Sequence, residues 1–438
     1  MKKANVHMSP PRFLTLAFIV LAGMGTLLLK LPFATTKPLA WVDALFTCIS
    51  AFTVTGLGVV DTGTHFTLFG QLVILTLIQV GGLGMMTFAI IVFIMLGKKI
   101  GLHNRILLQQ ALNQLNIGGV IRLAKALLIF SLSVEFIAFV LLCLEWVPRY
   151  GWQKGTYFSF FHAISAYNNA GFSIWPDNLM RHVHSPLVNV IITTLIIIGG
   201  LGFTVLIDVW KKRNFKQLSL HSKLMLVSTL VINIVATVLI LLLEYNGAAM
   251  SGLSFFDKTM SAYFQAVTTR TAGFNTLDIA KLSDSTILFM CVLMIIGAGS
   301  ASTGGGIKLT TFLIMILGVM KFIREQQEIS VFRKSIKDST IIKALSITMV
   351  AVILIFAGII ALTITEKVPT PLIIFEVCSA FGTVGLTMGL TFNLTVMGKF
   401  IISFMMFAGK VGPLTLAFTI SKSKPVKIKH PSEDILTG

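Results

Sequence analysis

Long blocks free of Lys, Arg, Asp and Glu alternate along this chain with short charged connections. A helix that crosses a bilayer needs about 20 largely apolar residues. Eight blocks approach or exceed that length: residues 13–29, 62–97, 126–146, 182–207, 224–243, 285–307, 344–365 and 400–420. The third is broken only by Glu135 and Glu145, and the last only by Lys410. The block at 62–97 has room for a span plus an extension. The first block lacks a small-residue cleavage site with a polar sequel and reads as a retained span, not a secretory leader.

The connections sort by charge. Lys and Arg gather in the N-terminus (Lys2, Lys3, Arg12), in 97–125, 211–223 and 321–343, and in the tail from 421. With eight spans threaded from the N-terminus, all five of these segments fall on one side. The other side receives sparse, mixed charge: Asp61, Asp177, Asp278, Asp284 and Glu366. The bias of Lys and Arg toward cytoplasmic loops then puts both termini in the cytoplasm.

Composition agrees. Of 438 residues, 55% are hydrophobic and 12% are charged, about half the usual charged share of a soluble domain. That excludes a disordered chain and argues against a soluble enzyme. Lys plus Arg number 35 against 17 Asp plus Glu, a net +18, but the basic residues lie between apolar blocks, so no nucleic-acid surface is expected. Cys48, Cys143, Cys291 and Cys378 form no CxxC pair and read as small hydrophobes. The eight histidines are scattered, so no membrane-embedded enzyme site is expected.

The four non-cytoplasmic connections, between spans 1–2, 3–4, 5–6 and 7–8, are too long and apolar to be plain loops. Each carries a half-length apolar stretch ending in a glycine motif: Thr53-Val54-Thr55-Gly56, Asn168-Asn169-Ala170-Gly171, Arg270-Thr271-Ala272-Gly273 and Gly382-Thr383-Val384-Gly385. The glycines recur at intervals of 115, 102 and 112 residues. Recurrence at a near-constant period defines the fold expectation. It is an all-α polytopic membrane protein of four tandem span–pore-loop–span repeats, with eight transmembrane helices and four re-entrant half-helices around a central pore. The repeats occupy 13–100, 121–212, 223–322 and 343–420, joined by cytoplasmic loops at 101–120, 213–222 and 323–342 and flanked by termini 1–12 and 421–438. Non-helical backbone at membrane depth is tolerated only where it is buried in protein or lines a watery cavity. Four converging strands can present carbonyls that replace a cation's hydration shell, and half-helix C-termini aimed at the centre favour a positive ion.

The second span of each unit holds a further signal. Gly81-Gly82-Leu83-Gly84 and Gly199-Gly200-Leu201-Gly202 read as close helix packing through small residues, and Gly409-Lys410-Val411-Gly412 follows at a similar distance. Unit three departs: Gly297, Gly299, Ser300, Ser302, Thr303, Gly304, Gly305, Gly306 and Lys308 crowd one stretch, which weakens any helix. We expect that span to be broken by a loop that gates the path. It is no phosphate-binding loop, because Gly305 stands where that motif needs Lys. Lys410, an ionisable residue at membrane depth, is a functional candidate, either holding the loop or pairing with a carboxylate. Arg270 is expected to brace its motif from behind, with Glu135 and Glu376 as candidate partners, and Asp43 to cap the first half-helix.

These motifs, together with the stretch 297–308 and the Leu309-Thr310-Thr311 that follows, resemble the Trk/Ktr/HKT superfamily of potassium transporters, and most of all the Ktr membrane subunit. The resemblance spans nearly the whole chain. It implies a potassium-selective translocating subunit in a bacterial cell membrane, with glycine at all four filter positions favouring potassium over sodium. It also implies a homodimer, a cytoplasmic nucleotide-binding regulatory ring of the KtrA/KtrC type, and sodium as an activator, with no cofactor in this chain and no metal beyond the transported potassium. Lys410 departs from the Arg frequent in bacterial members, and Lys is a more compact, more hydrated charge. The rival reading is a secondary transporter for another solute, although such folds usually show twofold inverted repeats.

Overall fold

The computed structural model describes residues 10–84 and 120–412, with the backbone alone for 10–14 and 120–124. The basic residues of 98–105, the end of the 62–97 block, the end of the last block and the charged tail lie outside the described residues.

One order of elements occurs four times. A first helix is followed by a shorter one that ends at a glycine motif, and then by another helix, which stops at glycine in three of the four sets and at Ile296 in the third. The first set is α1 (Pro10–Leu29), α2 (Trp41–Thr53), the single turn α3 (Thr62–His65) and α4 (Leu68–Leu83). Next come α5 (Val120–Tyr150), α6 (Trp152–Tyr167), α7 (Pro186–Leu201) and α8 (Phe203–Lys212). The third set is α9 (Leu220–Glu244), α10 (Phe255–Thr268), α11 (Asp284–Ile295) and α12 (Leu309–Ile323). A small antiparallel hairpin, β1 (Ile329–Val331) and β2 (Lys334–Ile336), precedes α13 (Asp338–Thr365), α14 (Thr370–Gly382) and α15 (Val396–Val411).

By length and composition, three described helices can cross a membrane, at Lys125–Tyr150, Leu220–Glu244 and Asp338–Thr365. The pair α7 and α8 makes a fourth if counted as one broken span, since it bends by 96°. The long helices turn large apolar side chains outward: Phe136 is 64% exposed, Leu242 70% and Ile364 80%. Apolar surface on that scale does not face water in a soluble monomer; a lipid environment accounts for it.

The block boundaries shift where the chain meets polar caps. The block at 62–97 does not open as one helix, because α3 intervenes and the Thr67 hydroxyl accepts from Gly70 N to start α4. The block at 182–207 begins its helix at Pro186, behind the cap Ser185. Ser283 and Thr395 cap α11 and α15 in the same way. Each of these three caps is itself held by a glutamate from the end of the preceding long helix. Ser185 Oγ donates to Glu145 at 3.0 Å. Ser283 donates to Glu244 through Oγ at 2.6 Å and N at 2.7 Å. Thr395 Oγ1 donates to Glu366 at 2.6 Å. A hydroxyl that accepts from the helix and donates to a carboxylate satisfies both its hydrogen-bonding roles where orphan N–H groups would otherwise be costly.

Asp43 is not a cap. Ala40 holds the N-cap position of α2 without a side-chain bond, and the Asp43 carboxylate instead takes Lys399 Nζ of α15 at 2.6 Å.

Candidate functional site

The four short helices α2, α6, α10 and α14 end at the four glycine motifs, and the motifs share one backbone signature. The second residue of each has a positive φ: Val54 60°, Asn169 59°, Thr271 68° and Thr383 49°. So does the fourth: Gly56 94°, Gly171 66°, Gly273 78° and Gly385 93°. An ordinary strand turns successive groups to opposite faces; alternation of left- and right-handed residues cancels that alternation and gathers the carbonyls on one side. Three of the second residues are β-branched, for which this region costs about 1–3 kcal/mol and persists only under surrounding constraint.

The constraint is mutual. A Cβ on Gly56 would lie 2.4 Å from Ala170 O, one on Gly171 2.6 Å from Ala272 O, one on Gly273 2.2 Å from Val384 O, and one on Gly385 2.0 Å from Thr55 O. The contacts run from the first motif to the second, third and fourth and back to the first, each glycine packed on the carbonyl at the third position of the next. The four segments therefore form a closed ring, and no fourth-position side chain fits in it.

Hydroxyls hold the ring from behind. Ser50 Oγ accepts from Gly56 N at 3.2 Å and Ser379 Oγ from Gly385 N at 3.1 Å. Ser165 Oγ donates to Phe172 O at 2.7 Å, and Thr268 Oγ1 to Phe274 O at 2.6 Å. Unit three again departs, because Val267 stands at the Ser position and Thr268, one residue on, makes the contact.

All four glycines line an open cavity of about 320 Å³, whose wall carries the carboxylates of Asp61 and Asp278. At the other end of the ring lies the segment between α11 and α12. It begins with a bridge between Ile296 and Ile307 and contains no helix. Gly305 N donates to Thr383 Oγ1 at 2.9 Å, and a Cβ on Gly304 would lie 2.1 Å from Thr271 Oγ1, so the loop abuts the second position of two motifs. Gly299 N donates to Gly200 O at 2.8 Å, Thr303 N to Gly199 O at 3.3 Å and Gly306 N to Gly409 O at 3.2 Å. Two ammonium groups complete it: Lys410 Nζ donates to Thr303 O at 2.5 Å and Lys308 Nζ to Gly304 O at 2.6 Å. Ser302 Oγ closes on Gly299 O at 2.6 Å, and Ser300 Oγ lies 3.4 Å from Thr310 Oγ1.

The TrkH family of cation transport proteins matches residues 9–430.

The chain belongs to the TrkH family.

It is 55% identical to Ktr system potassium uptake protein B of Bacillus subtilis (strain 168) over 434 residues, covering 99% of this chain and 98% of that one. It is 36% identical to potassium/sodium uptake protein NtpJ of Enterococcus hirae over 446 residues, covering 100% and 99%. The crystal structure of the potassium transporter TrkH from Vibrio parahaemolyticus shares the fold at a TM-score of 0.75 over 96% of this chain and 87% of that one, with 19% identity. The TrkH family transports cations; it is not a family of enzymes.

Within this TrkH-family site, the expected residues do not all pair as the sequence suggested. Arg270 is buried, and its Nη1 donates to Asn233 Oδ1 of α9 at 3.2 Å. Neither Glu135 nor Glu376 reaches it. Glu135 accepts from Gln79 at 3.0 Å and from Asn168 at 3.3 Å, which ties the second motif to α4 and α5. Glu376 accepts from Thr387 at 2.8 Å and from Thr391, behind the chain that leaves the fourth motif. Lys410 makes no ion pair among the described residues; its partner is the loop. The Gly-Gly stretches do pack closely: a Cβ on Gly81, Gly199 or Gly409 would lie 1.9, 2.0 or 1.8 Å from the carbonyl of Phe52, Tyr167 or Phe381. The described helices also stop there, and at Gly202 the chain turns by 96° into α8, which packing alone did not suggest. Gly84, Gly202 and Gly412 share φ of 84°, 94° and 90° and ψ of 132°, 137° and 139°.

Proposed function

We propose that the chain is the ion-translocating membrane subunit of a Ktr-type potassium uptake system. The observation that carries this reading is the closed ring of glycine–carbonyl contacts at the floor of an open cavity. The chain would cross the membrane eight times as four span–pore-loop–span repeats, with both termini cytoplasmic.

A potassium ion entering the cavity is drawn by Asp61 and Asp278. It exchanges water for carbonyls of Thr53-Val54-Thr55-Gly56 and the three equivalent segments. Because each glycine rests on the neighbouring strand, the ring cannot shrink around a smaller ion without displacing backbone. The negative ends of four short helices stabilise the ion at the centre. Below the ring, the loop 296–308 closes the path, and Lys410 and Lys308 hold it shut through carbonyls while adding a positive barrier. Transport requires the loop to leave Thr383 and Thr271.

The relatives' names support the cargo. The words "Ktr system" in those names also fit a subunit that works with other components; we further infer a homodimer on a cytoplasmic nucleotide-binding ring, with sodium as an activator. The test is uptake of potassium, rubidium and sodium by proteoliposomes that hold the purified chain, with and without such a ring. Selective potassium and rubidium uptake is expected. Equal uptake of sodium, or no cation flux under both conditions, sinks the reading in favour of a transporter for another solute.

A further inference from the structure

Opposite the cavity, the start of α9 meets the β1–β2 hairpin. The side is set by α9 itself. Its last residue, Glu244, binds Ser283 close to the cavity-lining stretch Asp278–Ala280. Its first turn therefore lies about 37 Å away, the rise of a 25-residue helix. Before that turn, α8 leaves α7 at 96°, so it runs along the membrane plane if α7 crosses it. Phe203 and Val205 are buried, whereas Trp210 is 69% exposed.

The turn and the hairpin touch through aromatic rings. Phe215 and Phe332 meet edge to face at 6.1 Å, and Lys223 Nζ lies over both, at 5.8 and 5.9 Å. The contact brings Arg213 and Lys216 to the side of Arg333 and Lys334. All four are exposed. Lys212 is neutralised by Asp208 at 2.8 Å and Lys321 by Asp338 at 2.6 Å, but these four make no ion pair among the described residues. The hairpin tip is unusual as well. Phe332 and Arg333 both have positive φ, 50° and 61°, in a two-residue turn that normally takes Asn and Gly. Bulky residues there cost stability, yet the ladder from Ile329↔Ile336 to Val331↔Lys334 holds them outward.

We propose that this cluster binds the headgroup of an anionic phospholipid, its phosphate held between the Arg213–Lys216 turn and the Arg333–Lys334 tip. Trp210 and Phe215 sit at the boundary of headgroup and acyl chain, the preferred depth of amphipathic rings. An in-plane helix with basic residues at one end and an exposed aromatic is the geometry that anionic leaflets attract. A protein partner could neutralise the cations but would leave Trp210, on the membrane-plane helix, without a role. The site rests on membrane embedding alone and stands whether or not the ring is a potassium filter.

The test is native mass spectrometry of the full chain in detergent, with phosphatidylglycerol or phosphatidylcholine added. Preferential retention of phosphatidylglycerol is expected. Each neutralised cation should weaken it about fivefold, so the combined Arg213→Gln, Lys216→Gln, Arg333→Gln and Lys334→Gln variant loses the adduct. The charge-keeping Lys216→Arg, Lys334→Arg variant retains it. Equal retention of the two lipids, or an adduct unchanged in the neutralised variant, overturns the proposal. Full displacement by inorganic phosphate also overturns it and assigns the cations to a soluble anion.

Discussion

The ring and the loop below it are both glycine-rich, yet they use glycine to opposite ends. In the ring, backbone rests on backbone all the way round, and a methyl group anywhere would meet a carbonyl at 2.0–2.6 Å. In the loop, one segment of 13 residues (296–308) between α11 and α12 also packs closely, a Cβ on Gly304 or Gly305 lying 2.1 or 2.4 Å from the Thr271 or Thr383 hydroxyl, but it closes no circuit and hangs on separate hydrogen bonds to units two and four and on two lysine side chains. Each such bond contributes about 0.5–1.5 kcal/mol, or about 1.5–3 kcal/mol where the donor is charged. A closed circuit of backbone contacts suits a sieve of fixed size; a segment held by individually weak ties suits a part that can move. On the function proposed above, selectivity belongs to the first and rate to the second.

The sharpest way to break that division is in the ring. Gly385→Ser places its Cβ against Thr55 O at 2.0 Å. It should cut the rubidium-over-sodium uptake ratio at least about tenfold, equivalent to about 1.4 kcal/mol. Gly56→Ser, at 2.4 Å from Ala170 O, should act in the same direction less severely, and an unchanged ratio in both would remove the ring from selectivity. Shortening the loop by residues 300–305 should raise basal flux about tenfold while leaving the ratio alone; a changed ratio would show that the two regions are not separable. Lys410→Met removes one charged tie, to Thr303 O, and should raise flux by a smaller factor. Lys308→Met frees a carbonyl of its own loop and should matter less again, so the reverse order of these two would contradict the holding role of Lys410. The smallest effect lies outside both regions. Glu366→Gln weakens the cap of α15 and should cost about 1 kcal/mol of stability, read by thermal unfolding in detergent, with flux and selectivity unaltered.

Much of the ring was legible in the sequence because it repeats. One glycine motif says little, but four at similar spacing anticipate that these segments meet, as the contacts between them show. The loop was legible for a related reason, since nine Gly, Ser, Thr and Lys residues packed into 297–308 cannot stay helical. The helix end at Gly84 and the break at Gly202 were not legible. An isolated glycine in an apolar helix is compatible with close packing, and here packing and breakage occur within three residues of each other. Glu145, Glu244 and Glu366 were missed because their partners Ser185, Ser283 and Thr395 lie 40, 39 and 29 residues away, beyond any local capping pattern. Charge-based pairing misled for Arg270 as well. The buried guanidinium meets an amide, Asn233, which carries no charge to betray it in a sequence. The acidic residue at 43 looked like a cap because it lies near a helix start, whereas its partner, Lys399, stands 356 positions along the chain.

Residues 296–308 have a bearing on why the four segments belong to one polypeptide. Four identical subunits would repeat every residue around the axis. A loop of this length would then obstruct the path four times over, and a half-buried lysine would crowd three copies of itself. Covalent fusion lifts that obligation: three quarters can keep a single glycine at the helix end while the remaining quarter lengthens into the proposed plug, and another supplies the ammonium group that secures it. The near-symmetry of the ring and the asymmetry beneath it are thus compatible only because each quarter is free to mutate alone.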